Sequence, residues 1–252
     1  MGNILLTRGA REMAEKAYRL AREHYQSVHD EEGVGACSVG LGRLAKESGR
    51  LDEAVVHFQD ARTRLDAVGV RLAVAICDND LGELARLRGD LETAERHSRV
   101  ALERQLTIGS GGAAFPRVNL ALIHQARGQW AAAQVELAQA LATFEQQGRR
   151  ALIGAVHACL LPCCAHQGAL EAFDHHFTEA MAHLAETGLS DVDVAGCAEN
   201  AALALEVRGE STRARDCITL ARAQFLALGR PADAERCEAF ADSLAADTGS
   251  VA

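Results

Sequence analysis

LGRLAKESGRLDEAVVHFQDA, residues 41–61, returns forty residues later as LGELARLRGDLETAERHSRVA, residues 81–101. Both copies set a small residue before a glycine, then alanine, a variable residue and alanine after it. One glycine series runs Gly9, Gly49, Gly89, Gly128, Gly168 and Gly209. A second series lies twenty residues later: His29, Gly69, Gly109, Gly148, Gly188 and Gly229. Two breakers in each forty-residue period cut the chain into segments of helix length.

The positions inside each period are also fixed. Twelve residues after the first glycine stand Ala21, Ala61, Ala101, Ala140, Ala180 and Ala221. Five after it stand Ala14, Ala54, Ala94, Ala133, Phe173 and Ala214, and nine after it Tyr18, Phe58, Ser98, Leu137, Phe177 and Ile218. Seven before it come Gly2, Gly42, Gly82, Ala121, Leu161 and Ala202. Small residues flanking a large one describe closely packed antiparallel helices, here called A and B. The pattern predicts B helices over 10–28, 51–68, 91–108, 130–147, 170–187 and 211–228. It predicts A helices over 33–48, 71–88, 113–127, 150–167, 191–208 and 231–247.

Composition agrees. Among 252 residues there are 49 alanines, 3 prolines and only 4 % aromatics, too few bulky residues for a β-sandwich. A hydrophobic fraction of 48 % supports a folded core. The net charge of −9 argues against a nucleic-acid surface. No apolar run is long enough for a membrane span, and no secretory signal is visible.

The stretches Leu41-Gly42 … Gly49 … Ala54 … Phe58 … Ala61 and Leu81-Gly82 … Gly89 … Ala94 … Ala101 resemble the tetratricopeptide signature, with both helices lengthened. The resemblance implies an all-α, right-handed superhelical solenoid of antiparallel helix pairs. Its repeats are expected at 1–29, 30–69, 70–109, 110–148, 149–188 and 189–229, with a capping helix in 230–252, all in one domain. Because Gly2 falls in the middle of a helix A, the chain is expected to be a fragment of a longer protein. Gly109 to Pro116 should shorten or kink one helix A, and Pro162 should kink the next. The C-terminal part also resembles the tetratricopeptide regions of bacterial serine/threonine protein kinases and related signalling regulators.

Cys37, Cys77, Cys197 and Cys237 share one repeat position and read as buried, reduced thiols of a cytoplasmic protein. Cys159, Cys163 and His166 share a helix face next to His157 and Cys164, but one helix offers a poor tetrahedron. His175, Glu179 and His183 follow i, i+4, i+8, beside Asp174 and His176. The recurrence of histidine at 57, 97 and 176 favours packing. No phosphate loop, hydrolase or kinase motif occurs. No metal, cofactor or catalytic residue is therefore expected, and the chain is read as not an enzyme.

The resemblance implies a concave groove lined by the A helices. Its expected peptide-binding residues are Arg43, Lys46, Asn79, Glu83, Arg86, Val118, Leu122 and Gln125. Ala158, Pro162, Ala165, Glu199, Leu203 and Glu206 would continue it. The function expected is a scaffold for a protein or peptide partner, with no nucleic acid or membrane partner. The alternative is the regulatory region of a larger bacterial signalling enzyme such as a serine/threonine kinase.

Overall fold

The computed structural model describes residues 8–109 and 111–249, with side chains described over 11–109 and 111–244. The expected helix A around Gly2, Ser110 and the last three residues of the expected cap lie outside the described residues. Twelve helices and no strand occur among the described residues. The B helices are α1 (Arg8–Ser27), α3 (Leu51–Ala67), α5 (Leu91–Ile108), α7 (Trp130–Gln146), α9 (Leu170–Thr187) and α11 (Ser211–Ala227). The A helices are α2 (Glu31–Glu47), α4 (Arg71–Leu87), α6 (Ala114–Ala126), α8 (Arg150–Gln167), α10 (Val192–Val207) and α12 (Pro231–Gly249). Every boundary expected from the glycine spacing lies within two residues of these. Gly9 is the exception in role: it falls inside the first turn of α1 and breaks nothing.

The connection between helices is one device used repeatedly. Each glycine of both series from Gly49 onward has positive φ, between +64° and +80°. After most of them the next residue donates its N–H to a carbonyl five residues back, as in Arg50 N–H to Ala45 O at 2.9 Å and Glu210 N–H to Leu205 O at 2.9 Å, whereas Gly109 and Gly188 themselves donate to Gln105 O and Leu184 O. This Schellman closure satisfies carbonyls the helix end would orphan, and it needs a left-handed residue that glycine adopts without a Cβ clash. His29 fills the same place with φ +55°.

Two prolines behave differently from each other. α6 is the shortest helix, at 13 residues, with Pro116 in its first turn where a missing N–H costs little. α8 runs unbroken from Arg150 to Gln167 with Pro162 inside it.

The chain divides into two compact units, one up to Ile123 and one from His124 on. In the first, each helix from α1 to α5 packs on the next. Its core holds Phe58, Leu65, Val74, Cys77, Leu81 and Leu84 around Ala54 and Ala61. The Phe58 ring lies 3.0 Å from where a Cβ on Gly42 would stand. The glycine seven residues before the repeat glycine thus makes room for the large residue nine after it. In the second unit α8 packs on α7, α9 and α10, and α11 on α10 and α12. Leu161, Phe173, Leu184, Leu205, Ile218 and Phe225 are central to its core. Alanine at the fixed crossing positions is buried in both units; Ala61, Ala101, Ala140, Ala180 and Ala221 are 0 % exposed. Close approach at these points lets neighbouring side chains interdigitate at native density.

Candidate functional site: the polar face of α2 and α4

In the first unit, three expected groove residues, Arg43, Lys46 and Glu83, meet on adjacent A helices. The Lys46 ammonium is 2.7 Å from Glu83 Oε2 and 3.3 Å from Asp80 Oδ1. Arg43 Nε lies 3.9 Å from Asp80 Oδ2, and the Arg43 side chain is half exposed. Asn79 Oδ1 accepts from Asn119 Nδ2 at 3.0 Å, linking α4 to α6. Both amides keep further donor and acceptor capacity. Arg86 is half-buried on the same helix as Glu83. The spacing 79, 83, 86 keeps these side chains on one face of α4.

Asp80 organises the cluster, and the sequence reading passed it over. Its side chain is 9 % exposed, and Oδ2 has no hydrogen-bond partner. Burial pushes its carboxyl above the ordinary value, against the pull of Lys46. Burial also opposes the charge on Lys46, but Glu83 and Asp80 overcome it and hold the ammonium above its usual range. One signal was available: Asp80 lies one turn before Glu83 and closes the polar run Asp78-Asn79-Asp80 in an otherwise apolar helix.

The other expected residues separate. Val118 is partly exposed, whereas Leu122 is buried at 7 % exposure. Gln125 belongs to the second unit. Its amide donates to Cys159 O at 2.6 Å and to Cys163 Sγ at 3.3 Å. Ala158, Pro162 and Ala165 are buried. Leu203 is 47 % exposed and Val207 88 % exposed, beside His166, Asn200 and Arg208, so an apolar surface depression lies on α8 and α10.

A second polar site in the first unit lies between α4 and α5. Asp78 is 1 % exposed, with Arg62 Nε at 2.6 Å, Arg104 Nε at 3.2 Å and His97 Nδ1 at 3.7 Å. It ties α3, α4 and α5 together. The neighbouring repeat uses Ser38, which donates to Asp60 Oδ2 at 2.8 Å.

The cysteine and histidine groups suggested by helix-face spacing do not assemble as spaced. Cys159 and Cys163 sit by Gln125. His166 stacks on Trp130 at 3.8 Å and pairs with Asn200 Oδ1 at 3.0 Å. His157 turns instead toward α9. All eight cysteines are free and buried. Burial pushes the Cys77 thiol up to about 12 and those of Cys164 and Cys237 to about 11.

Solved structures give the context for this geometry. BtubC from P. vanneervenii is 19 % identical, with a TM-score of 0.65 over 87 % of this chain and 92 % of its own. A Rap protein complexed with competence and sporulation factor is 15 % identical, with a TM-score of 0.62 over 96 % of this chain and 74 % of its own. The fold is tetratricopeptide-like. A signal transduction ATPase with a tetratricopeptide repeat sensor, from Pyrococcus horikoshii, is 15 % identical, with a TM-score of 0.63 over 92 % of this chain and 37 % of its own. No family model and no curated protein matches the sequence. Among the described residues, no helix of this tetratricopeptide-like chain is long and apolar enough to cross a membrane.

Proposed function

We propose that this chain is a non-catalytic protein-interaction scaffold that binds a peptide or protein segment on its A helices. The observation that carries the reading is the polar face of α2 and α4. Arg43, Lys46, Asp80 and Glu83 form a balanced charge cluster beside the Asn79–Asn119 amide pair. Balanced charges with spare amide donors and acceptors suit the main chain and mixed side chains of an extended segment. Stacked helix pairs supply broad binding surfaces and little convergent chemistry, which is the general use of such repeats. The Rap complex with competence and sporulation factor supports the reading by analogy of fold. Arg43, Lys46, Asn79, Glu83 and Arg86 are the proposed contacts. Val118 would extend them, with Leu122 as buried support; Gln125 is assigned to support of α8.

The second reading is a regulatory region within a larger signalling enzyme. It is favoured by one observation: the similar ATPase is much longer than the part this chain covers. Groove binding is common to both readings, which differ in whether the bound segment lies in the same polypeptide.

The test is selection from a randomised peptide display library on the immobilised chain. Enriched peptides should bind with micromolar affinity and lose at least about tenfold on Arg43→Glu, a substitution at a half-exposed side chain. Failure to enrich, or equal binding to the Arg43→Glu variant at intact helicity, would refute the assignment. Leu122 is unsuitable as a probe because it is buried.

A further inference from the structure

In the second unit three histidines converge where α8 meets α9. His157 Nδ1 and His176 Nδ1 are 2.9 Å apart. The rings of His157 and His175 meet edge to face at 5.8 Å, and those of His175 and His176 lie 5.2 Å apart. One ring nitrogen from each of the three can be chosen so that all lie within 4.8 Å of one another. His157 is buried, His176 half-buried and His175 exposed.

The repeat register makes this arrangement unusual. Position 157 is eleven residues before its repeat glycine, and position 176 is eight after it. The second full repeat places Asp78 and His97 there, a carboxylate beside a ring nitrogen 3.7 Å away. The sixth repeat places Ala198 and Cys217, both buried and apolar. The fourth carries Arg117 and Glu136 at these positions in the sequence. Each of these sets is complementary in charge or in polarity. The fifth repeat alone sets base against base, and adds a third base one residue away. A single proton shared between His157 and His176 satisfies two nitrogens and leaves His175 unaccounted for.

We propose that His157, His175 and His176 form a binding site for a divalent transition-metal ion of the zinc, cobalt or nickel type, clipping α8 to α9. Imidazole nitrogen is the favoured ligand type for these ions. Bonds of about 2.0–2.1 Å in a tetrahedron set ligand nitrogens about 3.3 Å apart, and in an octahedron about 2.9 Å. The 2.9 Å separation of His157 and His176 fits this range with little movement. His175 is exposed and free to close the third position. The remaining coordination positions fall to water. Glu179, one turn beyond His175 and 3.8 Å from His183 Nε2, supplies negative charge nearby. Burial, then the neighbouring His176, lowers the His157 pKa to about 4, so the neutral ligand form is present at neutral pH. Helix-face spacing could not reveal the set, because it groups His175 with Glu179 and His183 and leaves His157 with the cysteines.

The test uses the full chain and zinc chloride alone, titrated calorimetrically at pH 7.5. One ion per chain should bind with a Kd of micromolar or tighter. His175→Ala, at an exposed position, should weaken binding at least tenfold with helicity unchanged, and His176→Gln should do the same. His183→Ala should change affinity less than twofold. With cobalt in place of zinc, the spectrum should lack a thiolate charge-transfer band. Absence of binding below millimolar zinc would overturn the proposal. So would binding that survives His175→Ala, equal loss in His183→Ala, or a thiolate band. None of these outcomes bears on the peptide-binding reading, which concerns the other unit.

Discussion

Replacing Asp78 with alanine probes how much a single buried carboxylate contributes to the first unit. Asp78 is 1 % exposed and takes one charge-assisted hydrogen bond from Arg62, at 2.6 Å, with Arg104 and His97 close by. Such a bond contributes about 1.5–3 kcal/mol. Breaking a fully buried pair costs about 3–5 kcal/mol. Here the surviving arginines, Arg62 and Arg104, are 38 % and 33 % exposed and can turn toward water. The loss should therefore fall at about 2–3 kcal/mol, below the fully buried figure. At about 3 °C per kcal/mol for a chain of this size, Tm should drop by about 6–9 °C at pH 7.

The pH dependence follows from the charges around the group. Burial raises the Asp78 pKa, but His97, Arg62 and Arg104 together pull it below 3.8. A depressed carboxylate pKa stabilises the native state above the unfolded value, and the contribution disappears as pH falls through the folded value. The gap between wild type and Asp78→Ala should therefore close as pH drops below about 4. Asp80, two residues along, has the opposite shift. A raised carboxyl pKa costs stability that sets in as pH rises past 3.8, so Asp80→Asn should be no less stable than wild type at pH 7. Lys46 keeps Glu83 as its partner in that variant. Thermal unfolding followed by circular dichroism across pH 3–7 decides the matter. A Tm change under about 2 °C for Asp78→Ala at pH 7, or a gap that does not narrow in acid, would refute the reasoning.

Three further predictions concern the frame itself. His29→Gly should raise stability by about 0.5–1 kcal/mol, because His29 holds φ +55° in a place every other repeat gives to glycine; an unchanged or lower Tm would contradict this. Ala61→Leu should cost about 1–3 kcal/mol by overpacking a crossing that is 0 % exposed, read as a lower urea midpoint. The eight buried thiols should resist a thiol-reactive dye in the native protein and react fully only on unfolding; fast labelling of Cys77 would show the core to be open.

The helices were legible in the sequence because the turn chemistry is nearly invariant. A left-handed glycine ends ten of the twelve described helices, most often followed by a five-residue-back hydrogen bond, so counting glycines locates the ends. Gly9 misleads because glycine is tolerated in a first helical turn as well as after a last one. The groove residues were legible as a face, since A-helix periodicity sets 43 and 46 on one helix in register with 79, 83 and 86 on the next. Asp80 was not, because burial of a carboxylate depends on packing against a neighbouring repeat that spacing does not measure. The histidine site was hidden for the same reason. His157 meets His175 and His176 across two helices, eighteen and nineteen residues away. A search confined to one helix face cannot find such a pair, whereas aligning position 157 with Asp78 and position 176 with His97 does.

Hydrogen–deuterium exchange of the full chain, with and without a peptide selected for binding, tests the scaffold reading most directly. Peptide at saturation should slow exchange in α2 and α4, around Arg43, Lys46, Asn79 and Glu83, and leave the outer face of α3 around Val56 unchanged. Protection confined to the B helices, or no protection at a concentration that saturates binding, would contradict the account.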